Sequence, residues 1–207
     1  MAPRQRRKAE QPRNEQPRNE QPRNEQLSQE AIRAAALELV DEQGFAALSM
    51  RTLGARLGVK AASLYYHVPN RAALLRLIAD SIATEALGAT REGLDWRTLL
   101  TRLATDLRRT LSAHPGAAVI VATQDVSPQV YEPVVPAVLS TAHESLDLTD
   151  DEALYLVQSL YILVTGHALA EFGDAPQPPA APAEYYNAWF DIAVSTFLDG
   201  IAARYAR

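Results

Sequence analysis

Ten residues between positions 49 and 71 form the stretch of this 207-residue chain whose chemistry points most directly to a ligand class. They are Ser49, Arg51, Lys60, Ala61, Ala62, Ser63, Tyr65, Tyr66, His67 and Arg71. Guanidinium, ammonium and phenol groups donate hydrogen bonds to phosphate oxygens, whereas Ala and Ser are small enough to meet a thymine methyl or a base-edge acceptor. Residues 44–79 hold five bases (Arg51, Arg56, Lys60, Arg71 and Arg76) and no Asp or Glu. The body that follows is acidic: residues 80–207 carry seven Arg against seventeen carboxylates, and the net charge of the whole chain is −5. An acid-free basic window on an acidic chain is what a small nucleic-acid-binding module on a larger, non-binding body looks like.

The same scan gives little support to catalysis. With no cysteine, the chain offers no disulfide, no thiolate zinc site and no Cys nucleophile. It contains no phosphate loop, nucleophile elbow or zinc signature, and His114 and His143 lack metal-ligand spacing. No cofactor or metal is expected. One alternative from another class stays open, because sites assembled in space leave no linear motif: an all-α enzyme or small-molecule carrier with an incidental helix pair.

The elements that must position the basic window are helical. Ser28 is an N-cap with Glu30 in the first turn; Ile32, Ala35, Ala36, Leu39 and Val40 recur at helical spacing, and Gly44 stops the run. Ser49 caps a second helix with Leu53 and Leu57 inward and Gly58 at its end. A third spans about Lys60 to His67, ending where Val68 precedes Pro69. Asn70 caps a fourth, whose stripe is Leu74, Leu75, Leu77 and Ile78. Two short helices joined by a three-residue turn pack steeply only if a small residue lies at their crossing and the turn tolerates positive φ. Gly54 and Gly58 meet these needs, while Leu53, Val59 and Leu64 plug the angle. This is the pattern of a DNA-binding helix-turn-helix whose second helix enters the major groove. On that helix Leu64 and Val68 face inward, Ala62 and Tyr66 lie opposite, and Ser63 and Tyr65 flank them. An ordinary helical hairpin with a glycine turn is the plainer alternative.

The run Leu48-Ser-Met-Arg-Thr-Leu-Gly-Ala-Arg-Leu-Gly-Val59, continued by Ala62-Ser-Leu-Tyr-Tyr-His-Val-Pro-Asn-Arg71-Ala-Ala-Leu-Leu75, resembles the TetR family of transcriptional repressors. The likeness covers about residues 27–80 without a gap. Beyond it, Trp96, His114-Pro115-Gly116-Ala117 and the closing helices are similar to the tetracycline-repressor branch. The resemblance implies that Ser49 and Arg51 approach DNA, that Ser63, Tyr65 and His67 contact backbone or bases, and that Arg71 holds a phosphate. For the last recognition-helix position the family favours His67, where the helical wheel favours Tyr66. A base-reading glutamine and proline of that repressor are replaced here by Ala61-Ala62, which implies a different operator.

The fold expected is all-α: a disordered basic arm over 1–26, built on a threefold Glu-Gln-Pro-Arg-Asn repeat, a three-helix DNA-binding domain over 27–72, and a ligand-binding and dimerisation domain over 73–207. In the last, Leu99, Leu100, Leu103, Leu107 and Leu111 make one apolar face from about Asp95 to His114. A helix is expected from Ser127-Pro128, kinked or delayed by Pro133 and Pro136. Thr149 to Glu152 is a capping box. The apolar run Ala153–Ala170 is long enough to raise a membrane span, but Gln158, Thr165, Gly166 and His167 within it, and the lack of basic flanks, predict a soluble helix buried on several sides. Asp174 to Pro182 reads as a mobile loop before a last apolar helix.

Two such helices per chain suggest a four-helix bundle across a two-fold axis, as the family implies, with two recognition helices reading a palindromic double-stranded operator. At the positions of that repressor's metal-binding His, drug-binding His and drug-binding Asn stand Ile120, Leu87 and Leu103, so magnesium-tetracycline is not the expected effector. Leu103, Leu107, Ile120, Gln124, His167 and Glu171 are the expected effector-binding residues, suited to a largely hydrophobic small molecule. With no secretory signal after Met1, a cytoplasmic homodimer is expected. Its role would be that of a repressor released by its effector, or an activator of the same architecture.

Overall fold

The computed structural model describes residues 27–88 and 93–205, and among them finds nine α-helices, three 3-10 turns and no β-strand. The arm expected over 1–26 lies outside the described residues. The helices are α1 (Gln29–Gln43), α2 (Met50–Arg56), α3 (Ala61–Leu64), α4 (Arg71–Leu87), α5 (Trp96–Ala113), α6 (Ala118–Thr123), α7 (Val135–Ser145), α8 (Asp150–Phe172) and α9 (Ala183–Tyr205).

Local chemistry sets most of the helix starts. The Ser28 hydroxyl accepts from the Ala31 N–H at 3.1 Å, Asn70 Oδ1 accepts from the Ala73 N–H at 2.9 Å, and Asp95 Oδ1 accepts from Arg97 and Thr98. Ser49 and Thr52 form a reciprocal capping box on α2, and Thr149 and Glu152 form one on α8. Two elements depart from expectation. Helix α3 ends at Leu64 rather than His67: Pro69 denies the chain an N–H and pushes Val68 out of the α region, so residues 65–67 close as a tight turn with His67 N–H on the Leu64 carbonyl. From Ser127, only a 3-10 turn (Pro128–Val130) forms before α7 begins at Val135, the delayed start that Pro133 and Pro136 impose.

Helix α5 is the central strut of the body, packed against α4 on one side and α8 on the other, while α6 bridges α4 and α8. Leu53, Leu64, Leu74, Ile78, Ile82, Leu99, Leu111 and Ile120 are fully buried in one continuous core that runs from the first helices into the body. Each such side chain contributes about 1.5–3 kcal/mol of transfer free energy. Within the single chain, helix α8 is covered on only part of its surface. It is long and apolar enough to cross a membrane, yet only 33% of its apolar window is covered within the chain. Leu154, Tyr155, Ile162 and Leu169 of α8 and Tyr185, Trp189 and Ile192 of α9 are exposed. The loop after α8 is tied down at its start, since Ala175 and Pro176 occupy the space above Gly44 at the end of α1.

Candidate nucleic-acid interface and body cavity

Helices α2 and α3 cross at Gly54. A Cβ there would stand 3.0 Å from the Val59 carbonyl oxygen and 3.2 Å from the Ala61 nitrogen, and the Gly54 carbonyl accepts from the Val59 N–H at 2.9 Å. Gly58 makes the turn at φ +67°, a left-handed conformation that side-chain-bearing residues avoid. Leu53, Leu64 and Val68 fill the angle between the helices.

This packing leaves a ridge facing solvent. Arg51, Lys60, Ala62, Ser63, Tyr65, Tyr66 and Arg71 are exposed; Ser49, Ala61 and His67 are half-buried. Because residues 65–67 leave the helix as a turn, Tyr66 projects furthest, 91% exposed against 50% for Tyr65. The His67 ring meets the Tyr66 ring edge-on at 5.4 Å, and its carbonyl accepts from Gln29 Nε2 at 3.0 Å, which ties the turn to the start of α1. Arg71 is oriented by two contacts: its Nε donates to the Leu48 carbonyl at 3.4 Å and its guanidinium lies 5.0 Å above the Phe45 ring. Arg56 belongs to the basic window in sequence but is held on α1 by Glu42 at 2.7 Å and Glu38 at 3.0 Å. The hydrogen bond from Arg56 lowers the Glu42 pKa, and the two carboxylates raise that of Arg56. With Arg56 paired, Arg51, Lys60 and Arg71 are the exposed bases around the ridge, and Arg76 of the same window is exposed further along α4.

A second feature lies inside the body. A cavity of about 50 Å³ is walled by Ala83 and Ala86 of α4, Leu103 and Leu107 of α5, Val157, Leu160 and Val164 of α8, and Tyr131 and Val134 before α7. Of the effector-binding residues expected from sequence, only Leu103 and Leu107 are on this wall. Ile120 is fully buried on α6, and the Gln124 amide turns back to the Thr123 carbonyl at 3.0 Å. Glu171 is held by both nitrogens of an Arg108 fork at 3.0–3.2 Å, and Arg108 sits 4.8 Å from the Phe190 ring centroid. His167 is buried among Tyr186, Trp189 and Phe190, with Nε2 on the Tyr186 carbonyl at 3.1 Å and Nδ1 3.7 Å from Glu171. Burial, then the Arg108 charge, lowers the His167 pKa. These three groups pin α5, α8 and α9 together and do not face the cavity.

The wall's polar atoms come instead from Tyr131 and Tyr161, neither of which stands out in the sequence; Tyr161 falls within the apolar run of α8. The Tyr161 hydroxyl donates to the Val121 carbonyl at 3.3 Å. Burial pushes both phenols up, and the charges of Asp80 and Asp125 add to the shift. Asp80, one turn before Ala83 on α4, accepts from the backbone N–H and hydroxyl of Ser127 at 2.8 and 2.7 Å, linking α4 to the segment that carries Tyr131. Among the described residues no cluster of three metal-ligating side chains occurs.

The first helices and the body meet at Asp41 near the end of α1. Its carboxylate accepts from the Gly116 N–H at 2.9 Å and faces His114 Nδ1 at 2.9 Å. A Cβ on Gly116 would lie 2.2 Å from the Val40 carbonyl oxygen, so the two backbones touch. Arg33 adds a link from α1 to Ser81 of α4 at 2.7 Å.

Residues 32–78 match the family model of bacterial regulatory proteins of the tetR family, and residues 88–197 match the tetracyclin repressor-like C-terminal domain. An HTH-type transcriptional regulator of Saccharopolyspora erythraea is 38% identical over 96 residues, 46% of this chain and 41% of that relative, so the match spans less than half of the relative's length. The Escherichia coli tetracycline repressor protein class D is 31% identical over 160 residues, covering 72% of this chain and 70% of that one. A crystal structure of BioQ with its natural double-stranded DNA operator superposes with a TM-score of 0.69 at 26% identity, over 86% of this chain and 100% of that one.

Proposed function

The chain belongs to the tetR family of bacterial transcriptional regulators, and from that premise we propose that it is a dimeric repressor, released from a palindromic operator by a small hydrophobic effector. The observation that carries the reading is the ridge around Tyr66, raised on a glycine-crossed helix pair and flanked by exposed bases with no carboxylate in the same window. Tyr65, Tyr66 and Ser63 enter the major groove, with His67 at the edge of the turn. Ala61 and Ala62 lie against base edges or thymine methyls. Ser49, Arg51, Lys60 and Arg71 hold phosphates, Arg71 pre-aimed by the Phe45 ring. The functional division is a DNA-binding unit over 27–72 and an effector and dimer unit over 73–207.

The second copy covers the apolar side of α8 and α9. Seven large apolar or aromatic side chains there are open to water in the single chain, a cost that a four-helix bundle between two copies removes. Dimerisation sets the two recognition helices roughly 34–36 Å apart, one turn of duplex.

The cavity is where release begins. Helix α4 runs from Arg71, beside the DNA ridge, to Ala86 and Leu87 on the cavity wall. Drug-sized ligands occupy sites of roughly 300–1,000 Å³, so one that enters a space of about 50 Å³ must displace α4 or the segment before α7. Displacing α4 moves Arg71 and changes the spacing of the two ridges. The effector shifts the equilibrium by its differential affinity for the two forms. The test is fluorescence anisotropy of duplexes covering the DNA that flanks the gene, with sedimentation to fix stoichiometry. A complex of two chains per palindrome at nanomolar concentration supports the reading. Failure to bind any duplex at low salt, or binding as a single chain, overturns it.

A further inference from the structure

Resting on the cavity as the effector site, we infer that it selects lipophilic cations, such as an aromatic ammonium or amidinium, over neutral or anionic molecules of the same shape. Three observations carry this. First, the wall is hydrocarbon apart from two phenols, and no Lys, Arg or His lines it, so nothing there neutralises a ligand carboxylate. Second, the charges that act on those phenols are both negative. Asp80 and Asp125 raise the cost of ionising Tyr131, and both act on Tyr161 as well. Asp80 receives its hydrogen bonds from Ser127, a neutral group that leaves the carboxylate charge intact. Third, phenol rings carry negative π-faces that attract a cation and not an anion. The surrounding body reinforces the sign, with ten more carboxylates than bases over residues 80–207.

Asp80 also gives the selection a consequence. It is the link between α4 and the Ser127–Val134 segment, so a cation that draws on the Asp80 carboxylate weakens the Ser127 hydrogen bonds and loosens the wall that must move.

The experiment uses the full chain and three congeners of one size: 1-naphthylmethylammonium, 1-naphthalenemethanol and 1-naphthoate, titrated calorimetrically at fixed ionic strength. The expected order is ammonium, then alcohol, then carboxylate. About tenfold or more separates the first from the last, because the same carboxylates favour the ammonium and disfavour the carboxylate. Asp125→Asn, at an exposed position, and Asp80→Asn, which keeps an acceptor for Ser127, should each narrow that ratio. Leu107→Trp, which fills the cavity, should abolish binding of all three. If the carboxylate binds as tightly as the ammonium, or the ratio survives both Asp→Asn changes, the charge preference is wrong and the cavity reading stands. If no congener binds, or Leu107→Trp leaves the affinities unchanged, the cavity reading and this inference fall together.

Discussion

Replacing Gly116 with alanine tests the joint between the first helices and the body. The new Cβ would lie 2.2 Å from the Val40 carbonyl oxygen, 2.4 Å from its carbon and 2.8 Å from the Asp41 nitrogen, all backbone atoms that cannot rotate away. Ordinary contact needs at least about 1 Å more, and overpacking of this kind costs about 1–3 kcal/mol. The forced shift also lengthens the Gly116 N–H bond to the Asp41 carboxylate and the facing His114 contact, both 2.9 Å at present. Hydrogen bonds to a charged group contribute about 1.5–3 kcal/mol each, and partial loss of two brings the total to about 4 kcal/mol. For a chain of this length that is a fall of roughly 8–16 °C in Tm. Urea unfolding of the two proteins measures the difference directly. Asp41→Asn, which keeps an acceptor and loses the charge, serves as the reference for the hydrogen-bond share and should cost about 1 kcal/mol. A Gly116→Ala protein within 0.5 kcal/mol of the parent would refute the close approach and with it the account of how the two parts are joined.

Other perturbations read the remaining claims. Arg71→Ala should weaken binding to every duplex by a similar factor and lower the salt dependence by about one ion, as measured by anisotropy at several salt concentrations; an unchanged slope removes Arg71 from the phosphate contacts. Tyr66→Ala should cost at least tenfold in operator affinity while leaving Tm within about 1 °C, because the side chain is 91% exposed and meets the protein through the edge of the neighbouring His67 ring. Trp189→Asp on α9 should convert a dimer to monomers by sedimentation, and an intact dimer would place the second copy elsewhere. Because the folded state holds His167 below its ordinary pKa, stability is at its full value above about pH 6.5 and falls as pH drops below that, when the unfolded chain takes up the proton more readily. His167→Gln should flatten the denaturation midpoint between pH 7 and pH 5; an equally steep profile would show that other groups cause the acid loss.

Features set by near neighbours in the chain could be read in advance. Caps act over three residues, so Ser28, Ser49, Asn70 and Thr149 announced four helix starts. Gly54 and Gly58 announced the crossing and the turn because the two helices they serve are adjacent. What stayed hidden depends on distant segments. Asp41 meets Gly116 across 75 residues, and neither residue type signals the meeting. The cavity wall draws two to four residues from each of four separate regions, and alanines such as Ala83 and Ala86 look like ordinary helix filler. The partner that His167 and Glu171 meet, Arg108, sits three helices back in the chain, and an Arg beside the Leu107 face is the one clue to it in the sequence. Helix α6 passed unread because the apolar run Ala117–Ala122 has no period to distinguish helix from strand.

The near-absence of room inside the resting body has a kinetic corollary. On the proposed effector site, capture waits for a wider conformer, so at high concentration the observed rate should level off at the opening frequency instead of rising without limit. The apparent dissociation constant is the intrinsic one divided by the open fraction. Any substitution that props the wall ajar, such as Leu103→Ala, should therefore sharpen sensitivity and shorten the lag at once.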